Sequence, residues 1–257
     1  MAWGLSMQIL SYAFTMPLFC LAHLLTTRTV TTLAKTPFRI GNRAILDTLP
    51  TVLLLGYFVP SFLYAIPLPL ELNELHQWFG GLWQGFPVYT ALFQLVIQIW
   101  SRFKSVLDVQ TTAAIEDFEI NALQKAYRLS FWSCVVTQTP SYMISLLNML
   151  SLTLRRNGGL SDITIAAVFL PQGFWSFNQV NMADGIHSLL IYDQMFGSLA
   201  ILVWAITINI DARIFLDTTD IVVFVSKAIC YTLLSGPAGA AVWLFWDRDE
   251  RIWRTMK

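Results

Sequence analysis

The sequence predicts an all-α, polytopic membrane protein, a bundle of seven transmembrane helices forming a single domain. Three observations predict it. Hydrophobic residues make up 56% of the 257-residue chain. Charged residues supply 12%, about half of the roughly 25% usual in soluble domains. The apolar residues gather in stretches near the length a helix needs to cross a hydrocarbon core about 30 Å thick.

The spans follow in order. The first is 7–25; no basic segment precedes it, so a cleaved signal peptide is not expected. The second (45–66), third (81–100) and fourth (129–150) are clear. The connection 101–128 carries mixed charge (Asp108, Glu116, Asp117, Glu119, Lys125) and reads as a cytoplasmic helical link. The fifth, 163–180, is weaker: it begins ITIAAVFLPQGFW and turns polar at Asn178 and Gln179. The sixth, 186–208, carries Asp193. The seventh, 221–246, carries Lys227.

Basic residues decide whether the weak segment counts. Arg28, Lys35, Arg39 and Arg43 follow the first span. Arg102, Lys104, Lys125 and Arg128 separate the third from the fourth, and Arg248, Arg251, Arg254 and Lys257 form the tail. With seven spans all three clusters share one face, giving 12 Lys/Arg there against three (Arg155, Arg156, Arg213) on the other. The N-terminus is then lumenal and the C-terminus cytoplasmic. The short fifth span fits if Pro171 and Gly173 break it beside a cavity.

Formal net charge is zero, so nothing points to nucleic acid as a partner. Cys20, Cys134 and Cys230 fall inside apolar stretches and read as small core residues, not as a disulfide framework. No Cys/His cluster has metal-ligand spacing. There is no P-loop, nucleotide fingerprint, His-box iron pattern or Ser/His/Asp arrangement. The segment from Gly236 to Gly239 reads as a helix-packing or kink feature.

Several spans carry polar stripes at helical spacing. Trp83, Pro87, Thr90, Gln94 and Gln98 share one face of the third span. Ser130, Cys134, Thr137, Ser141, Ser145 and Asn148 share one of the fourth. The fifth offers Gln172, Trp175, Asn178 and Gln179. In the sixth, Asp193, Gly197, Ala200 and Trp204 line up. Such faces turn away from lipid, because an unpartnered amide in hydrocarbon is costly. They are interhelical glue or the lining of a cavity, and the sequence leaves both readings open.

Asp193 is the sharpest feature. A carboxyl within a span costs about 2.5–3.5 kcal/mol on insertion scales. Lys227 lies at a different depth and reads as snorkelling to the interface, not as its ion partner. A carboxyl kept neutral in a low-dielectric pocket is a competent proton donor; a structural hydrogen bond is the alternative. Asp184 and His187, spaced i,i+3 at the start of the same helix, could tune or reload that acid, or cap the helix. Trp83, Phe86, Tyr89, Phe174, Trp175, Phe177, Tyr192 and Trp204 could steady a carbocation through their π faces or fill core and interface belts.

The strings GYFVPSFLYAIPLP, LWQGFPVYTALFQLVIQ, DGIHSLLIYDQMFGSLAILVWA and LLSGPAGAAVWLFWDRDE resemble the small integral-membrane terpene cyclases of fungal meroterpenoid biosynthesis, especially the ascochlorin and macrophorin branch. The pyripyropene and paxilline branch carries an early-helix Trp-Glu pair that this chain lacks; Asp47 is its one early-helix acid. The family's late-helix acid would fall on Asp184 or Asp193. The resemblance implies protonation of a terminal alkene or epoxide on a farnesyl chain joined to an aromatic or polyketide head, then a cation cascade. It implies no metal or organic cofactor, an endoplasmic-reticulum membrane, and a pathway prenyltransferase and epoxidase as functional partners. On this reading Asp193 is the leading donor, assisted by Asp184 and His187. Gln94 and Gln98 orient the head group or quenching water, Trp83 and Tyr89 line the substrate cavity, and Trp175 and Trp204 steady cations. The competing reading is a non-enzymatic seven-span receptor or transport protein.

Overall fold

The computed structural model describes residues 2–26, 43–66, 68–105, 112–150, 165–170, 182–211 and 218–256. Secondary structure among the described residues is helical, without a strand. In chain order the helices are α1 (Ala2–Leu10), α2 (Tyr12–Thr26), α3 (Arg43–Leu53), α4 (Val59–Ala65), α5 (Asn73–Gln84), α6 (Phe86–Ser105), α7 (Thr112–Leu150), α8 (Ile165–Phe169), α9 (Met182–Asp211) and α10 (Thr218–Met256). The all-α expectation is met. Among the described residues three stretches are long and apolar enough to cross a membrane: Ile45–Ala65, Asp184–Ile210 and Thr218–Arg254. They coincide with the expected second, sixth and seventh spans. Tyr12–Thr26 and Phe86–Trp100 are shorter apolar helices. The fourth span lies inside α7, whose start at Thr112 makes the described part of the 101–128 connection helical, as the sequence indicates. Most of 163–180 lies outside the described residues.

The chain gathers into two compact units, one comprising Met1–Ile9 with Pro37–Leu129, the other Leu10–Thr36 with Ser130–Lys257. In the first, α3 and α4 are joined by a π turn, Leu54–Phe58, in which Val59 N–H bonds the Leu54 carbonyl. The cause sits just beyond it. Pro60 has no N–H to offer an i−4 carbonyl and its ring crowds that carbonyl, so the ladder widens by one residue before it.

In the second unit, α2 and α9 run in the same direction. Ala13 meets Asp193, and further along both helices Phe19 and His23 meet Trp204. Gly197 is buried under the Tyr12 ring; any Cβ there would collide with it. This close approach needs a residue without a side chain.

The predicted seventh span is not a straight rod. Gly236 adopts φ +71°, ψ 173° inside α10, a region essentially reserved for glycine. Tyr231 and Trp243 stack with centroids 4.3 Å apart, whereas a straight helix would hold residues twelve apart about 18 Å apart. Phe224 from the limb before the break shares a core cluster with Ala241 and Leu244 from the limb after it, around Ala205 of α9. A straight α10 would separate Phe224 from Leu244 by about 30 Å. The helix therefore folds back at Gly236, where Pro237 also removes a ladder N–H. Asn209, fully buried, donates through Nδ2 to the Leu244 carbonyl at 2.7 Å and fixes the returning limb on α9. Gln138 of α7 lies against Gly236, and Cys134 against Gly239.

Candidate functional site

The break between α1 and α2 creates the environment of Asp193. Ser11 takes φ +80°, outside the helical region, and ends α1. Helix α2 then begins at Tyr12 with first-turn N–H groups that have no intrahelical carbonyl to bind. Asp193, 180 residues away in sequence, supplies one acceptor: Ala13 N–H donates to its Oδ1 at 2.7 Å. A carboxylate at a helix N-terminus is favoured by both the bond and the helix dipole. Asp193 is half-buried. One of its oxygens, Oδ1, is engaged in this cap.

Around it lie groups that sequence patterning did not mark. The Tyr12 hydroxyl shares a side-chain hydrogen bond with Ser198 and sits within electrostatic reach of Asp193, Cys20 and Cys134. Ser198 is buried and also receives a bond from Gln194 Nε2 at 3.1 Å. Thr15, on the same first turns of α2, is 1% exposed and its Oγ1 has no hydrogen-bond partner among the described residues. The stripe Asp193, Gly197, Ala200, Trp204 is thus the face α9 turns to α2.

The other expected site residues fall as follows. Asp184 lies nine residues before Asp193 on α9, about 13 Å along the axis and on the opposite face; it is half-buried. His187 is exposed, on a face close to that of Asp184. Trp204 closes an aromatic nest with Phe19 (5.6 Å), His23 (4.9 Å) and Phe245 (4.7 Å). Trp175 lies outside the described residues.

Gln94, Gln98, Trp83 and Tyr89 belong to the first unit. Gln94 Nε2 donates to Thr48 Oγ1 of α3 at 2.8 Å. Trp83 Nε1 donates to Ser61 Oγ of α4 at 3.0 Å, and Ser61 in turn donates to the Tyr57 carbonyl at 2.7 Å. Tyr64 stacks on both Trp83 (6.0 Å) and His76 (5.1 Å), and Phe86 packs on Tyr57 (5.1 Å). Tyr89 folds back against Gly85 in the first turn of α6; Gln98 is half-buried. The hydroxyl stripe of the fourth span bonds its own helix: Thr137 to Ser133 and Cys134 carbonyls, Ser145 to the Ser141 carbonyl. That is the packing reading of the stripe.

A separate apolar groove of about 590 Å³ runs between α9 and the first limb of α10, lined by residues such as Leu202, Ile206, Phe224, Val225 and Leu233. Its size falls in the range of small-molecule sites. Thr232 is its one polar lining residue, and its hydroxyl is tied to the Ala228 carbonyl. Among the described residues no His/Cys/Asp/Glu group could hold a metal ion.

Comparison with known proteins gives a consistent set of relatives. The CtvD domain model matches residues 1–253. The chain is similar to terpene cyclase ctvD of Aspergillus terreus, 26% identical over 95% of this chain and 65% of the relative. It is similar to terpene cyclase ascI of Acremonium egyptiacum, 24% identical over 98% of this chain and 63% of the relative. Terpene cyclase verU1 of Penicillium polonicum is 24% identical over 93% of this chain and 60% of the relative. The chain thus spans less than two thirds of the length of these relatives. No solved structure matches it.

Proposed function

The chain belongs to the CtvD domain family of fungal terpene cyclases, and from that premise we propose that it is a membrane-bound cyclase of a meroterpenoid pathway. Its substrate is a farnesyl chain joined to an aromatic or polyketide head, delivered through the bilayer of the endoplasmic reticulum after a prenyltransferase and, for an epoxide substrate, an epoxidase have acted. Asp193 gives a proton to the terminal alkene, or to the epoxide oxygen with cleavage of its tertiary C–O bond. The carbocation is attacked in turn by the neighbouring double bonds, and the last cation loses a proton or captures water. The single observation carrying the assignment is Asp193 itself: a half-buried acid in an apolar helix, one oxygen fixed by Ala13 N–H. That bond aims the carboxyl without consuming it.

The other assignments keep the roles their chemistry suits. Trp204 presents a ring beside the same helix face, and a desolvated cation gains about 2 kcal/mol on such a surface; Trp175 is assigned the same role. Asp184 and His187 are proton suppliers from the start of α9, acting through water because their face is not that of Asp193. Trp83, Tyr89, Gln94 and Gln98 are assigned to substrate binding within the first unit. To test the activity, microsomes carrying the chain are given a farnesylated phenol and its terminal epoxide. The expected product has fewer olefinic protons and either unchanged mass, if a proton is lost, or the mass of one added water, if water is captured. Recovery of both compounds unchanged, with ligand-dependent flux across the vesicle, would instead favour the transport reading.

The membrane placement supported by the second unit differs from a simple count of seven. Counting 163–180 as a crossing makes α2 and α9 antiparallel, yet they pack in parallel. If 163–180 does not cross, α9 runs from lumen to cytoplasm like α2, and the fold-back at Gly236 returns α10 to the face it entered. All three basic clusters then remain cytoplasmic, as the positive-inside rule requires, and Arg213 joins them. His23, Trp204 and Phe245, which touch, come to the same depth. Cysteines placed at Thr218 and Arg254 are expected to react with an impermeant maleimide from the same side of sealed microsomes. A straight crossing of α10 predicts opposite sides.

A further inference from the structure

The aromatic nest at the cytoplasmic ends of α2 and α9 contains two nitrogens that the packing leaves without partners. His23 Nδ1 and Trp204 Nε1 are both buried, and neither has a hydrogen bond among the described residues. The two rings meet edge to face, 4.9 Å between centroids at 77°. Phe19 and Phe245 close the nest with ring contacts to Trp204 at 5.6 and 4.7 Å. Buried polar atoms are nearly always bonded, and each exception needs an explanation. Leaving one bare costs about 1–3 kcal/mol, and here two fall in one nest.

Their chemistry is complementary. An indole N–H only donates; an imidazole Nδ1 accepts when the proton is on Nε2. One group satisfies both at once: a hydroxyl, whose oxygen takes the indole N–H and whose hydrogen goes to the imidazole. Each such bond is about 2.9 Å long. A carbonyl or ether oxygen could serve the indole but would leave the imidazole bare. Arg248 lies close enough to His23 to act on it electrostatically. Arg248 is itself paired with Asp249, Nη1 to Oδ1 at 3.2 Å.

We propose that His23 and Trp204 form a hydroxyl-recognition site that takes the phenolic OH of a prenylated aromatic ligand. Trp204 stands eleven residues after Asp193 on the same face of α9, about 16 Å along the helix. The nest and the acid therefore mark two stations on one helix face, head-group end and reacting end. This deepens the cyclase reading and rests on it for the identity of the ligand; the hydroxyl preference itself does not.

The test uses the full chain in lipid nanodiscs, with 2-farnesylphenol and its O-methyl ether as probes. The phenol is expected to bind at least about tenfold tighter than the ether, since a site built around a hydroxyl discriminates strongly against its absence. Trp204→Phe and His23→Phe keep the rings and remove one nitrogen partner each. Each is expected to bring phenol affinity down to that of the ether while leaving ether affinity unchanged. Equal binding of phenol and ether by the wild-type chain, or binding of neither, overturns the proposal without need of any variant. So does a parallel loss of both ligands in the variants. Turnover is measured on the same samples. A hydroxyl preference without turnover keeps this site and removes the cyclase reading; turnover without the preference does the reverse.

Discussion

The two units hold their polar side chains in opposite ways. In the first, the network closes on itself: Trp83 on Ser61, Ser61 on the Tyr57 carbonyl, Gln94 on Thr48. In the second, Thr15 Oγ1, His23 Nδ1 and Trp204 Nε1 are buried without hydrogen-bond partners among the described residues, along the same α2–α9 seam that holds Asp193. A satisfied buried network rigidifies, whereas an open one carries a cost that persists only where something offsets it. On the proposed reading the first unit is a closed wall, and the open groups of the second are the ones left to act on a ligand.

The contrast can be broken by removing its pieces. The largest effect is expected at Asp193→Ala, which removes both acid and cap. Product formation should fall at least about 10²-fold, the usual contribution of a positioned general acid, and the seam should lose about 1 kcal/mol of capping, read as a lower melting temperature in detergent. Gly236→Ala should destabilise the chain by about 1–3 kcal/mol through backbone strain at a glycine-only conformation. Thermal unfolding checks it, and a wild-type melting temperature would mean that α10 does not fold back there. Gly197→Ala forces a methyl against the Tyr12 ring. A loss of about 1–3 kcal/mol is expected from overpacking, with activity falling too because Asp193 and Ala13 sit one turn away. Smallest is Trp83→Phe in the closed wall. It leaves Ser61 Oγ without its donor, for about 1 kcal/mol, and turnover should change severalfold at most. A loss there as deep as at Asp193 would reverse the roles assigned to the two units.

Much of this was legible in the residues. The all-α class follows from apolar stretches of membrane length. The alignment of Asp193, Gly197, Ala200 and Trp204 on one face is a consequence of helical periodicity, and the structure seats that face on α2. What it seats there could not be read: Ala13 is 180 residues from Asp193, and Ser11 breaks α1 from α2 with no glycine or proline to announce it. The fold-back of α10 was half visible. The Gly236-Pro237 pair marks a kink, but apolar character runs unbroken across it from Ile221 to Trp246, so hydropathy alone reads one span. His23 carries no pattern in the sequence, being a lone histidine at a helix end; its meaning comes from Trp204, on another helix. The first-unit amides were legible as inward-facing, while their partners Thr48 and Ser61 depended on how α3, α4 and α6 pack.

The central claim is that Asp193 acts as an acid and not only as a helix cap, and Asp193→Asn separates the two roles. The amide oxygen still accepts the Ala13 N–H, so folding should be unchanged, but the transferable proton is gone. Microsomes carrying wild type and variant at equal levels, given a farnesylated aromatic substrate, are compared by cyclised product. A loss of about 10²-fold or more with an unchanged melting temperature is the predicted result. Cyclisation at the wild-type rate would contradict it and leave Asp193 as the cap of α2 alone.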